Sequence, residues 1–185
     1  MTEIKRIGVL TGGGDAPGLN PAIKGLVYRA SERGIQTVGL SDGWLSLLNS
    51  PFDVVTLERA SVRRWDRDGG TNLGSSRTNP FHTPNELGER VDKSSEVIAN
   101  IEKLGLDAIV ACGGEDTLGV AARLSEKGVR VVGVPKTLFQ VAVDLLIAKG
   151  MFGDQDNVCL TRNPRPKSQV ARVATHDFDY LDPAV

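Results

Sequence analysis

The 185-residue sequence has only two cysteines, Cys112 and Cys159, and two histidines, His82 and His176. Two cysteines are too few for a disulfide framework, and these two do not make a metal-ligand pair. The histidines show no ligand spacing and read as surface residues. No charge of one sign dominates: 22 basic side chains stand against 23 acidic ones, for a net charge of −1. That balance argues against a nucleic-acid partner, which needs a basic excess on one face. No apolar run approaches the roughly 20 residues of a membrane span, so no membrane partner is expected. The opening residues, Met-Thr-Glu-Ile-Lys-Arg, run straight into a strand with no signal-peptide pattern. The expectation is a soluble, cytoplasmic protein in a reducing compartment.

Hydrophobic residues make up 40% of the chain, enough for the core of one ordinary domain, and glycine is abundant at 21 residues. Ile4 to Leu10 is a short apolar stretch stopped by glycines, which predicts a buried strand and a tight turn. Leu19, Ala22, Ile23, Leu26, Val27 and Ala30 form a helical stripe, with Gly34 placed to end it. Gln36 to Leu40, Val54 to Leu57, Asp107 to Cys112 and Arg130 to Val134 read as further strands. Leu118 to Glu126 reads as a helix, and Pro84 as the start of another that carries Leu87, Val91, Ile98, Ile101 and Leu104. Leu138 to Lys149 is a fourth candidate helix, and the last twenty residues read as an irregular tail. Trp44 and Trp65 read as packing residues. Strands alternating with helices imply a parallel sheet, whose ligands sit at the carboxyl ends of the strands.

Four loops fall at that edge. Gly12-Gly13-Gly14-Asp15 precedes a helix, so its backbone N–H groups either cradle an anion or simply make a tight turn. Gly113-Gly114-Glu115-Asp116-Thr117 adds paired carboxylates, suited to Mg²⁺ beside a phosphate or to complementing a helix dipole. Gly70 to Arg77 brings hydroxyls and a guanidinium, a bidentate phosphate donor. Lys136 adds a point charge after Pro135. Glycines, acids, Arg and Lys on one edge are the inventory of phosphoryl transfer.

These segments resemble the phosphofructokinase family. The resemblance rests on Gly-Val-Leu-Thr-Gly-Gly-Gly-Asp-Ala-Pro-Gly-Leu-Asn at 8–20, Gly-Gly-Thr-Asn-Leu-Gly-Ser-Ser-Arg-Thr-Asn-Pro at 69–80, Gly-Gly-Glu-Asp-Thr at 113–117 and Val-Pro-Lys-Thr at 134–137. It implies a three-layer, Rossmann-like α/β fold, a parallel sheet with helices on both faces, over a donor-binding lobe at 1–137. Residues 138–185 would form a short atypical segment. By resemblance, Gly13, Gly14, Arg77, Thr78, Gly114, Glu115, Asp116 and Thr117 bind the donor phosphates. Glu115 stands where the family places its Mg²⁺-associated acid, and the catalytic positions are Lys136, able to neutralise a pyrophosphate, and Thr137 in the sugar-phosphate segment. The implied reaction is the glycolytic transfer of a phosphoryl group to the 1-hydroxyl of fructose 6-phosphate, in homo-oligomers. ATP-using members generally carry glycines where this chain has Asp116 and Lys136. The pair resembles the pyrophosphate-dependent subgroup, so pyrophosphate is the expected donor and ATP the alternative.

The resemblance breaks after Thr137. The family continues with Ile-Asp-Asn-Asp, whose first Asp takes the proton of the sugar hydroxyl, whereas this chain reads Leu138-Phe139-Gln140. Losing a positioned base costs roughly 10²–10⁴-fold in rate. The family's second lobe is largely missing, and Ala142 to Gly153 is similar to a segment near the family's C-terminal end. The expectations are an impaired phosphotransferase or, alternatively, a non-catalytic phosphate-binding remnant.

Overall fold

A computed structural model of the protein describes residues 3–85 and 87–136. Five strands form one sheet: β1 (Arg6–Thr11), β2 (Gln36–Leu40), β3 (Val54–Leu57), β6 (Ala108–Gly113) and β7 (Val131–Pro135), in the order β3-β2-β1-β6-β7. Thr83–Pro84 and Arg90–Val91 pair separately as a two-stranded hairpin, β4 and β5. Three helices accompany them: α1 (Leu19–Glu32), α2 (Ser94–Lys103) and α3 (Glu115–Glu126).

Alternation along the strands divides the core between two faces. Val9, Val110 and Cys112 pack on one side against Leu19, Ile23 and Val27 of α1. Leu10, Val38, Ile109 and Ala111 pack on the other against Val97 and Ile101 of α2 and Val120, Ala121 and Leu124 of α3. The result is the expected three-layer α/β arrangement. Each such fully buried aliphatic side chain contributes about 1.5–3 kcal/mol of transfer free energy. Strands covered on both faces read as continuous apolar runs, which is why Ile7–Leu10 and Ala108–Cys112 were recognisable.

Two features correct the sequence reading. The sheet is not wholly parallel, because β3 runs antiparallel to β2, with Thr37 opposite Leu57 and Leu40 opposite Val54. The helix expected from Pro84 begins instead at Ser94. Leu87, assigned to its apolar stripe, is 84% exposed at the hairpin tip, and Gly88 has a φ of 79° that a helix does not allow. Asp92 Oδ1 accepts the Ser94 N–H at 2.8 Å and starts α2 there. In addition, α3 begins at Glu115, three residues before the expected Leu118. The helix expected over 138–149 lies outside the described residues, as does the tail. Among the described residues, no helix is long and apolar enough to cross a membrane.

The strand order locates the site. From β1 the chain crosses over α1 to β2 on one side, and from β6 it crosses over α3 to β7 on the other. The order therefore reverses between β1 and β6, which pair directly, with Leu10 beside Ala111 and Thr11 beside Cys112. A crevice opens at the carboxyl ends of strands at such a switch point.

Candidate functional site

The loop that leaves β1 enters this crevice in an unusual backbone conformation. Gly13 has a φ of 79°, a left-handed value that disfavours a side chain, and its N–H donates to Ser76 O at 3.0 Å. Gly12 could not carry a side chain either, since a Cβ there would run into the Thr117 side chain. Gly14 faces open space. The glycines thus bring three backbone layers together: the β1 loop, the 69–80 loop and the start of α3.

The 69–80 loop is fastened from below. Thr11 Oγ1 donates to Gly74 O at 2.5 Å and lies 2.8 Å from Thr71 Oγ1. Ser75 Oγ donates to Gly13 O at 2.6 Å, and Ser76 Oγ to Asp42 O at 2.6 Å. Asn20, fully buried in the first turn of α1, donates to Asp68 O at 3.1 Å and accepts the Asn72 N–H at 2.8 Å. Leu73 is buried beneath the loop. A loop held this way presents Arg77 and Thr78 on fixed backbone, next to Gly13.

At the start of α3, Thr117 is buried, and its carbonyl accepts the Trp44 indole N–H at 3.3 Å. Trp44 is a packing residue, as expected. Glu115 and Asp116 are exposed in the first turn, where the helix dipole favours negative charge. Neither carboxylate has a hydrogen bond or ion pair to another described residue. A Mg²⁺ ion commonly takes one or two carboxylates plus phosphate oxygens, and this pair fits that role. Among the described residues no three His, Cys, Asp or Glu side chains gather into a metal site made by protein alone. The residues therefore suit a cation brought in with a phosphate ligand.

Lys136 closes the crevice. Its backbone N–H donates to Gly113 O at 3.3 Å, and its Nζ lies 3.6 Å from where a Gly13 Cβ would be. Among the described residues, that Nζ is out of contact with solvent and has no hydrogen-bond partner. Burial holds the Lys136 pKa below the ordinary lysine value, against the opposing pull of Asp15 and Cys112. Burial likewise pushes the Cys112 thiol up to about 11. A buried ammonium with no hydrogen bond to a described residue is costly, and the charge of Asp15 offsets that cost only in part.

A pocket of about 270 Å³ gathers Gly13, Arg77, Thr78, Asp116 and Thr117. Gly114 and Glu115 adjoin it through α3, Gly14 lies on its glycine loop, and Thr137 falls outside the described residues. Sequence reasoning missed three lining residues: Asn79, His82 and Arg90. His82, read as a surface residue, is exposed but faces this pocket. It is set there by a 3₁₀ turn at Pro80–His82, in which Asn79 Oδ1 accepts the Phe81 N–H at 3.0 Å. The buried Phe81 ring lies 3.6 Å from the Arg123 guanidinium of α3. Nothing in the local sequence signals the approach of Arg90, which depends on the hairpin. A larger cavity of about 500 Å³, between α1 and the amino end of β2, contains none of the sequence-predicted site residues.

A three-layer α/β lobe with a glycine-lined crevice at its switch point is the class of protein defined so far. The family model for phosphofructokinase matches residues 6–140, and the chain belongs to that family. It is 50% identical over 133 residues to a pyrophosphate–fructose 6-phosphate 1-phosphotransferase of Dictyoglomus thermophilum, covering 72% of this chain and 36% of that one. It is 46% identical over 149 residues to ATP-dependent 6-phosphofructokinase 3 of Streptomyces coelicolor, covering 80% of this chain and 40% of that one. The chain thus spans well under half the length of these curated relatives. Among solved structures, the phosphofructokinase of Pichia pastoris in the T-state superposes with a TM-score of 0.63 at 24% identity, over 74% of this chain and 16% of that one. The latter likeness concerns the fold.

Proposed function

We propose that this chain carries the donor half of a 6-phosphofructokinase site, with pyrophosphate as the phosphoryl donor and fructose 6-phosphate as the acceptor. The observation that carries the reading is the Lys136 ammonium, out of water beside Gly13 with no hydrogen-bond partner among the described residues. A donor phosphate at Gly13 would supply its missing counter-charge, with Arg77 as a bidentate partner. Glu115 would hold the accompanying Mg²⁺, which would supply charge neutralisation on the phosphate oxygens. The Asp116 carboxylate lines the same pocket, where it would occupy space and repel the additional phosphate that ATP would bring. ATP is the second reading, favoured by the Streptomyces relative, which is titled ATP-dependent.

Transfer breaks the P–O–P bond of the donor, releases orthophosphate and joins the phosphoryl group to the sugar 1-hydroxyl, whose proton needs an acceptor. The residue at the family's acceptor position is not acidic here, and the nearest acid after Thr137 is Asp144. Turnover is accordingly expected to be lower by roughly 10²–10⁴-fold while donor binding is kept.

The test measures binding of pyrophosphate and of ATP to the purified chain with Mg²⁺, and in parallel the formation of fructose 1,6-bisphosphate from each donor. Tighter binding of pyrophosphate, with slow bisphosphate formation from that donor alone, is the expected outcome. Equal or tighter binding of ATP would overturn the donor assignment, and binding of neither would overturn the site.

A further inference from the structure

We propose that Arg90, on the hairpin β4–β5, is a donor-specificity residue that binds the outer phosphate of pyrophosphate. This inference rests on the donor reading above. The pocket has an inner and an outer end. At the inner end lie Gly13 and the buried Thr117, and the Lys136 Nζ lies behind Gly13, 3.6 Å from where its Cβ would be. At the outer end, His82 and Arg90 line the same pocket, and both are exposed. Arg90 reaches it from a separate two-stranded unit rather than from the sheet edge that carries the glycine loops. Its guanidinium has no hydrogen bond or ion pair to another described residue, and neither has that of Arg77.

Two guanidiniums converging on one small pocket repel each other unless an anion lies between them. A single phosphate at Gly13 is served by Arg77 and Lys136 and leaves Arg90 without a partner. A second phosphate, bonded to the first and projecting toward the mouth, would meet Arg90 and His82. Two linked phosphates, each with its own cation, match an inorganic diphosphate.

The location on a hairpin also has a consequence. Lys93 N–H donates to Pro80 O at 2.7 Å, tying the end of the hairpin to the turn that carries His82. The Asn85 side chain accepts the Leu87 and Glu89 N–H groups at 3.0 and 2.8 Å, closing the hairpin tip. Arg90 therefore sits on a braced support and does not need to be drawn in from a disordered loop.

The test compares the binding of inorganic pyrophosphate and of inorganic orthophosphate, both with Mg²⁺, to the full chain and to Arg90→Gln, Arg90→Lys, Arg77→Gln and the remote control Arg33→Gln. Losing one charge-assisted contact corresponds to roughly a tenfold or greater change. Arg90→Gln is expected to weaken pyrophosphate by about tenfold or more and to leave orthophosphate unchanged, with partial recovery in Arg90→Lys. Arg77→Gln is expected to weaken both ligands. Because Arg90→Gln separates the two ligands, a general loss of folding cannot imitate the result. If Arg90→Gln binds pyrophosphate as the unaltered chain does while Arg77→Gln fails, this inference is overturned and the donor reading stands. If the unaltered chain binds neither ligand, both are overturned.

Discussion

The two ends of the central strands treat charge in opposite ways. At the amino end, the Asp107 carboxylate accepts the backbone N–H groups of Lys5 and Arg6 at 2.8 and 2.9 Å. Those two bonds hold its carboxyl below the ordinary aspartate range. Donors and acceptor match, and the group ties the chain before β1 to the start of β6. At the carboxyl end of the sheet, just after the neighbouring strand β7, the Lys136 ammonium is removed from water with no hydrogen-bond partner among the described residues. The first arrangement stabilises the fold by itself, whereas the second costs stability unless something binds. Strain and unmet polar groups collect where a protein acts, and here they collect at the switch point of the sheet.

Substitutions can break this contrast. The largest expected effect is that of Gly12→Ala, whose Cβ would displace Thr117 and with it the start of α3. Overpacking of this kind costs about 1–3 kcal/mol. A thermal melt should show Tm lowered by several degrees, and calorimetric titration should show pyrophosphate binding lost. Next comes Lys136→Met, which removes the unpaired cation. Pyrophosphate affinity should fall by about 10–100-fold, while Tm should rise by about 2–4 °C, the shift that 1 kcal/mol produces in a domain of this size. Opposite signs for stability and binding are the signature of a group kept for its ligand.

The pH dependence sharpens the contrast further. Lys136 binds an anion only when protonated, and burial lowers its folded pKa, although Asp15 and Cys112 pull the other way. Pyrophosphate affinity should therefore decline as pH rises through an alkaline range below the ordinary lysine value, and this decline should be absent in Lys136→Met. Without ligand, the unfolded chain holds the Lys136 proton more tightly than the folded one. This group's contribution to stability accordingly improves as pH rises through the same range. Asp107→Asn should have the smallest effect, a modest drop in Tm at neutral pH with donor binding unchanged. Because the folded pKa of Asp107 is depressed, its contribution is present above the unfolded value and lost as pH falls through the folded one. The two melting curves should therefore converge in acid.

Much of the architecture was legible because both faces of the sheet are covered. The apolar runs at 7–10 and 108–112 and the α1 stripe ending at Gly34 allow little else. The direction of β3 was not legible, because four residues of strand pattern carry no sign of which way they run. The segment 84–93 misled for a different reason. Leu87 and Val91 have helical spacing by coincidence, while the Asn85 turn and the positive φ of Gly88 fix a hairpin. The glycine and acid loops of the site announced themselves by chemistry. His82 and Arg90 did not, because their place in the pocket comes from a 3₁₀ turn and a hairpin packed some way from the sheet edge. Asn20 was likewise visible only as a letter in a motif, and its hold on the 68–72 backbone emerges from the fold.

Lys136, without a hydrogen-bond partner among the described residues, is the group a donor phosphate would pair. The most direct measurement is the Kd for pyrophosphate, with Mg²⁺ at fixed neutral pH, of the unaltered chain, of Lys136→Met and of Lys5→Met at the opposite end of the strands. Binding is expected to weaken by about 10–100-fold in Lys136→Met and to be unchanged in Lys5→Met. Equal affinity in all three would contradict that pairing.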